Sequence, residues 1–240
     1  MAPQVLFIVN EHLATEGLLG DAFTECGYDV ATFEVVPAER VHTPAGDVTF
    51  PDPTDYDVIV PLGARWPVYD EALRQTWVGA EMQMMRDAAD AGVPTLGVCF
   101  GGQLLAQAFG GSVARSSTPE IGWFDVTSAD ETLVPGGSWF QWHFDGWTLP
   151  PGATEIARTT NSSQAFVFGK ALALQFHPEL DHDLLERWLA DDRDGEVASV
   201  GLSHAQLRSA TTELESSAAR RIRGLVRGFV SRMVGQSCPS

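Results

Sequence analysis

Lysine is all but missing from this chain: among 240 residues only Lys170 carries an ammonium side chain, and Lys and Arg together number 15 against 32 Asp and Glu. A formal net charge of −17 repels phosphate backbones, which argues against nucleic acid as a partner. Cysteine is scarce as well. Cys26, Cys99 and Cys238 lie far apart and the histidines are scattered, so no close pair has zinc-ligand spacing. Long apolar runs are absent too, and nothing approaches the roughly 20 residues that span a bilayer. The opening "MAPQVLFIVNEHLATEG" turns polar after one strand-length run, unlike a charged-then-apolar leader. The expectation is a cytoplasmic, reducing setting with free thiols and no membrane partner.

What is present is enough apolar residue, 44% of the chain, for one sizeable core, and this length suits a single α/β domain. "VLFIVN" (5–10) reads as a strand buried on both faces. A helix follows over 15–26, with Leu18, Leu19, Ala22 and Phe23 on one stripe and Gly27 as its C-cap. "YDVATFEVV" (28–36) alternates and reads as a second strand. Residues 37–55, with Pro37, Pro44, Pro51 and Pro53, read as a loop. "DVIVPLG" (57–63) is a third strand, 81–91 a helix closed by Gly92, "PTLGV" (94–98) a fourth strand and 102–109 the helix after it. This alternation predicts a doubly wound, mostly parallel sheet.

Beyond residue 110 the grammar changes. "GWFDVTS", "SWFQWHF", "ATEIAR", "SQAFVFG" and "ALALQF" read as short strands of an antiparallel extension, which gathers Trp123, Trp139, Trp142 and Trp147. Helices over 184–190 and 205–234 close the chain. The second carries Ala218, Ile222, Leu225, Phe229 and Met233 as an apolar stripe. Its arginines, Arg220 to Arg232, read as a solvated face ahead of a site for an acidic partner.

One cysteine stands out. "GVCFG" (97–101) places Cys99 on a strand–turn–helix between glycines, the pattern of a nucleophile elbow. The helix that starts just beyond it favours thiolate over thiol. Such a nucleophile wants an imidazole, and the imidazole wants an orienting acceptor. "QFHPE" (175–179) offers His177 and Glu179 after a buried-looking strand, two residues apart and so on one side of an extended chain. A metal reading through His177, Glu179, Asp181 and His182 leaves Cys99 unexplained. Cys26 reads as a core filler and Cys238 as part of a frayed tail.

With these segments in view, the chain resembles a class I glutamine amidotransferase domain, and within that class the GMP-synthase-like subgroup. "GVCFGGQLLAQAFGG" is similar to the family's nucleophile segment and "QFHPE" to its His–Glu segment. "EIGWF" (120–124) and "FQWHFDGWTLPPGA" (140–153) resemble two further subgroup segments. The resemblance covers roughly residues 57–190. It implies a flavodoxin-like fold, a catalytic Cys99, His177 and Glu179, and Gln103 lining a glutamine pocket. It also implies an oxyanion hole from the N–H groups of Phe100 and of the turn "LGARWPVYD". There Gly63 is kept but Ala64 replaces a second glycine. A positive φ at Ala64 would cost on the order of 1 kcal/mol. Arg65 and Trp66 are bulky at the pocket mouth, where they could hold a large leaving group, and His143 falls in a segment that reads as loop packing or pocket rim.

The implied chemistry is hydrolysis of a γ-glutamyl amide through a thioester, with no metal or organic cofactor. Residues 1–240 read as one amidotransferase-like domain, with 191–240 a helical extension. Two settings stay open: a stand-alone hydrolase of glutamine or a larger γ-glutamyl amide, and a glutaminase subunit feeding ammonia to a separate synthetase. A third is a regulatory protein that keeps the fold without catalysis. The sequence leaves the oligomeric state open.

Overall fold

In a computed structural model, which describes residues 2–192 and 195–239, nine strands form one sheet in the order β2-β1-β3-β4-β9-β8-β7-β5-β6. The strands are β1 (Gln4–Val9), β2 (Asp29–Glu34), β3 (Val58–Pro61), β4 (Thr95–Val98), β5 (Ser112–Ser128), β6 (Gly137–Thr148), β7 (Thr154–Arg158), β8 (Ser163–Phe168) and β9 (Ala171–Leu174). The helices are α1 (Gly17–Glu25), α2 (Glu71–Arg74), α3 (Trp77–Ala91), α4 (Phe100–Ala108), α5 (His182–Asp191), α6 (Glu196–Ser199) and α7 (His204–Phe229). Strands β2, β1, β3, β4 and β9 run parallel, and β8, β7, β5 and β6 join antiparallel. This is the flavodoxin-like architecture with an antiparallel extension and C-terminal helices.

The central parallel strands are apolar on both faces because both are covered. Val5 and Phe7 pack with Leu19 and Phe23 of α1 and with Ile222 and Phe229 of α7. Leu6 and Ile8 face the other way, toward Trp77, Met82 and Met85 of α3 and Leu104 of α4. A third cluster joins Ile121 and Phe140 of the β5–β6 hairpin to Leu184, Leu185 and Leu189 of α5. The stripe from Ala218 to Met233 is buried as its spacing predicts. Three of its arginines serve within the chain: Arg221 donates to the Ser138 carbonyl, Arg223 pairs with Glu25, and Arg232 with Asp130.

Several boundaries differ from the sequence reading. Helix α3 starts at Trp77 rather than residue 81, because Trp77 and Val78 already bury against the sheet. Helix α7 ends at Phe229 and a π-turn carries the chain to Val234. The antiparallel strands are not all short. Strand β5 runs 17 residues and β6 12, and a register shift between Arg115 and Glu120 breaks the alternation that would betray β5 as one strand.

The expectation of free thiols is overturned. Cys26 and Cys238 form a disulfide across a separation of 212 residues, and Cys99 is the free cysteine. The tail does not fray: the turn after α7 brings it back over the end of α1, where Pro239 lies against Gly27. Cys26 is thus a core residue that is also tied. No helix among the described residues is long and apolar enough to cross a membrane.

Candidate active site

Cys99 sits between β4 and α4 with φ 49°. It is the one non-glycine residue at positive φ among the described residues, a strained backbone of the kind that raises a nucleophile above a strand–helix turn. The neighbouring glycines permit the turn by what they lack. A Cβ on Gly101 would lie 2.0 Å from the Pro61 carbonyl oxygen, one on Gly102 2.5 Å from that of Leu174, and one on Gly97 2.5 Å from that of Gly101. Helix α4 therefore presses its first turn directly onto the strand ends, and the Cys99 N–H donates to the Leu174 carbonyl (2.8 Å).

His177 lies just past the end of β9, held by its N–H donating to the Phe140 carbonyl of β6 (2.9 Å). Its Nδ1 is 2.6 Å from Glu179 Oε1, and both side chains are buried. The Glu179 carbonyl in turn accepts from the Leu18 N–H (3.1 Å), a contact open only because Gly17, at φ +42°, has no Cβ to strike that oxygen. His177 Nε2 has no hydrogen-bond partner among the described residues. Burial alone would lower the basicity of His177. The Glu179 carboxylate and then Cys99 outweigh it and push the imidazole up to about 10. No hydrogen bond of ordinary geometry joins Nε2 to the sulfur, yet the sulfur is near enough to favour the imidazolium. The His177 ring meets the Trp188 ring edge-on at 4.8 Å.

The turn after β3 closes the other side. Gly63 approaches both side chains: a Cβ there would be 3.2 Å from His177 Cε1 and 3.8 Å from Cys99 Cβ. Asn10 steadies this turn by donating to the Leu62 carbonyl (3.0 Å), with Glu81 behind it. Burial pushes the Glu81 carboxyl up to about 8. Ala64 is at negative φ, so the strain that a lost second glycine could impose does not arise. The backbone N–H groups of Ala64 and Phe100 donate to no described backbone acceptor.

Cys99, His177, Glu179, Gly63, Ala64, Arg65, Trp66, Gln103 and His143 all border one cleft of about 390 Å³. Phe100 is buried, its ring tilted against that of Trp77 at 5.6 Å. The expected site residues thus come together, but three of them differ in what they can offer. Arg65 is bound on both sides, Nε to Glu11 Oε2 (2.5 Å) and Nη1 to Asp191 Oδ2 (2.8 Å). Trp66 packs edge-on against Trp77. Both are walls already engaged by the protein. His143 is on strand β6, not in a loop, and both its ring nitrogens are taken, Nδ1 by the Asp145 carbonyl and Nε2 by Glu120, each at 3.0 Å. It therefore has no free donor for a substrate. Among the described residues no group of three or more His, Cys, Asp or Glu side chains is disposed to hold an ion. Asp181 instead caps α5 through the Leu184 N–H.

Two buried residues had no role assigned from sequence. Gln175 Nε2 lies 3.7 Å from Cys99 Sγ, and Glu120 anchors His143. Both fall inside the quoted segments "QFHPE" and "EIGWF", which was the available signal.

This arrangement of a strained cysteine, an imidazole with one nitrogen free, and a carboxylate on the other is matched by family-level similarity. The family model for glutamine amidotransferase class-I matches residues 56–192, and the chain belongs to that family. Among its relatives, a glutamine-hydrolysing GMP synthase of Aeropyrum pernix is 38% identical over 113 residues, 41% of this chain and 22% of the synthase. Its counterpart in Thermus thermophilus is 39% identical over 100 residues, 38% of this chain and 20% of the synthase. The matched stretch is thus about a fifth of those relatives' length. A solved glutamine amidotransferase of Thermotoga maritima superposes with TM-score 0.81 at 27% identity, covering 98% of this chain and 100% of that one. A glutamine amidotransferase of Methylobacillus flagellatus shares the fold, with TM-score 0.79 at 21% identity and coverage of 100% and 97%.

Proposed function

We propose that the protein hydrolyses the γ-amide of glutamine through a γ-glutamyl thioester on Cys99. The Cys99 thiolate attacks the carboxamide carbon. The N–H groups of Ala64 and Phe100 receive the tetrahedral oxyanion. His177, protonated, gives its Nε2 proton to the nitrogen; the C–N bond breaks and ammonia leaves. Water then loses a proton to His177 and attacks the thioester, and the C–S bond breaks to release glutamate and restore the thiolate. Glu179 holds the ring through Nδ1 and steadies its charge. Gly63 and Gln103 border the γ-glutamyl group. The reading takes residues 1–240 as one unit with 191–240 as a helical extension, and it calls for no cofactor, because thiolate, imidazole and backbone N–H groups supply every step.

The observation that carries it is the strained Cys99 in one cleft with a His177 whose Nδ1 is fixed by Glu179 and whose Nε2 is free. Glutamine is favoured over a bulkier γ-glutamyl amide because Glu11 and Asp191 pair with Arg65 and already balance its charge, which makes it a wall of the cleft more than a free cation for a large leaving group. Ammonia then either diffuses away or passes to a separate synthetase, the setting that the relatives named GMP synthase bring to mind. The test is glutamate release from glutamine and from N-substituted γ-glutamyl amides by the chain alone. We expect kcat/KM for glutamine to be at least tenfold higher. Preference for the substituted amides overturns the choice of substrate, and silence on all of them points to the regulatory alternative.

A further inference from the structure

We infer that Glu120 is a positioning residue for the nucleophile and for Gln103, acting through a run of buried polar contacts. This inference rests on the hydrolytic reading of the cleft. Glu120 is fully buried on β5 and accepts from five side chains: His143 Nε2 at 3.0 Å, Thr159 Oγ1 at 2.7 Å, Asn161 Nδ2 at 3.2 Å, Ser162 Oγ at 2.8 Å and Gln164 Nε2 at 2.7 Å. Burial by itself would raise its carboxyl, but the bonds from His143, Thr159 and Ser162 outweigh that and hold it below the ordinary range. The carboxylate is therefore a hub of acceptors that ties β6 to the turn between β7 and β8.

From this hub the chain runs to the sulfur. Glu120 is an acceptor, so His143 donates from Nε2. Its Nδ1 is 3.0 Å from the Asp145 carbonyl, also an acceptor. That same carbonyl accepts from Gln103 Nε2 at 3.4 Å. Gln103 Nε2 also donates to Gln175 Oε1 at 3.3 Å, and Gln175 Nε2 lies 3.7 Å from Cys99 Sγ. His143, Gln103 and Gln175 are all buried, so each bond lost is a desolvated group left unpaired. The same strand β6 carries the Phe140 carbonyl that holds the His177 N–H and the Trp142 carbonyl 3.9 Å from the sulfur. Anchoring His143 fixes the middle of that strand.

The hub needs a carboxylate. A glutamine at 120 has one acceptor oxygen and one NH2 group, and the NH2 would face donors from which Glu120 now accepts. The test compares Glu120→Gln with Thr211→Val. The latter breaks the bond from Trp123 Nε1 to Thr211 Oγ1 (2.9 Å), which braces the same strand β5 without touching the hub. Three quantities are read: Tm, the kinetic parameters for glutamine, and the rate at which iodoacetamide alkylates Cys99 without substrate. We expect both variants to lose thermal stability. Only Glu120→Gln should lose about a hundredfold in kcat/KM, more through KM than kcat, and about tenfold in alkylation rate, while Thr211→Val stays within threefold in both. His143→Ala, which keeps the other four bonds to Glu120, repeats the activity loss and serves if Glu120→Gln does not fold. Activity that falls in step with Tm in both variants, or Glu120→Gln within threefold of wild type, overturns the inference. Alkylation separates the two readings. If wild type releases no glutamate but its Cys99 reacts tenfold faster than that of Glu120→Gln, the substrate reading fails and the positioning stands.

Discussion

In the parallel half of the sheet, Cys99 is held by atoms that are missing: Gly97, Gly101 and Gly102 leave no room for a Cβ against the carbonyls of Gly101, Pro61 and Leu174. In the antiparallel half, His143 is held by bonds that are present, from Glu120 and the Asp145 carbonyl. Close backbone packing fixes one strained residue tightly and tolerates almost no substitution. A hydrogen-bonded hub spreads its hold over many side chains whose bonds reinforce one another, so the loss of one member is felt by the rest. The cleft lies where the two regimes meet. His177 belongs to both, following β9 of the parallel set in sequence and hanging by its N–H from β6.

The largest effect expected comes from the residue that joins the halves. His177→Ala should lower glutamine hydrolysis by about a thousandfold or more with the fold intact by circular dichroism; activity within tenfold of wild type would mean that the imidazole does not move the proton. Next is the contrast between glycines of the two halves. Gly101→Ala should destabilise by about 3 kcal/mol or more, while Gly146→Ala on β6, where a Cβ would meet nothing within 4 Å, should stay within about 0.5 kcal/mol. Urea unfolding measures both, and equal losses would erase the contrast.

Glu179→Gln tests the electrostatic seam. In the wild type the imidazole keeps its proton until pH nears about 10. Removing the carboxylate takes away its main stabiliser and leaves burial, which lowers it, opposed only by Cys99. The alkaline limb of kcat/KM must then move to lower pH, so the ratio of variant to wild-type activity falls from pH 7 to pH 9. A flat ratio would show that Glu179 acts through geometry alone.

The smallest effect on activity is expected at the disulfide. Cys26 lies at the far end of α1 from the Gly17 contact with Glu179, a distance of about 13 Å for a nine-residue helix. Replacing Cys26 and Cys238 with serine should cost about 2–4 kcal/mol of stability, read as a lower Tm, and leave kcat/KM within twofold. A larger loss of activity would mean that the closure of the tail reaches the cleft.

The same contrast governs what could be read in advance. The elbow around Cys99 and the His177–Glu179 pair were legible because each is local: glycines beside a cysteine, two polar side chains two residues apart. The parallel strands were legible because full burial makes them continuous apolar runs. Glu120 was not, because its partners lie 23 to 44 residues away and become neighbours only when the β7–β8 turn packs under the hairpin. The disulfide was hidden for the same reason, its cysteines being 212 residues apart. Ala64 looked like a defect because a sequence does not print φ. Arg65 looked free because its carboxylates, Glu11 after β1 and Asp191 at the end of α5, are distant in sequence.

The most direct test of the central claim is to catch the covalent intermediate. Wild-type protein mixed with glutamine and quenched in acid should yield, by peptide mass spectrometry, a γ-glutamyl group on the peptide that carries Cys99, and Cys99→Ala should yield neither adduct nor glutamate. An adduct on any other residue, or glutamate released by Cys99→Ala at the wild-type rate, would contradict the account.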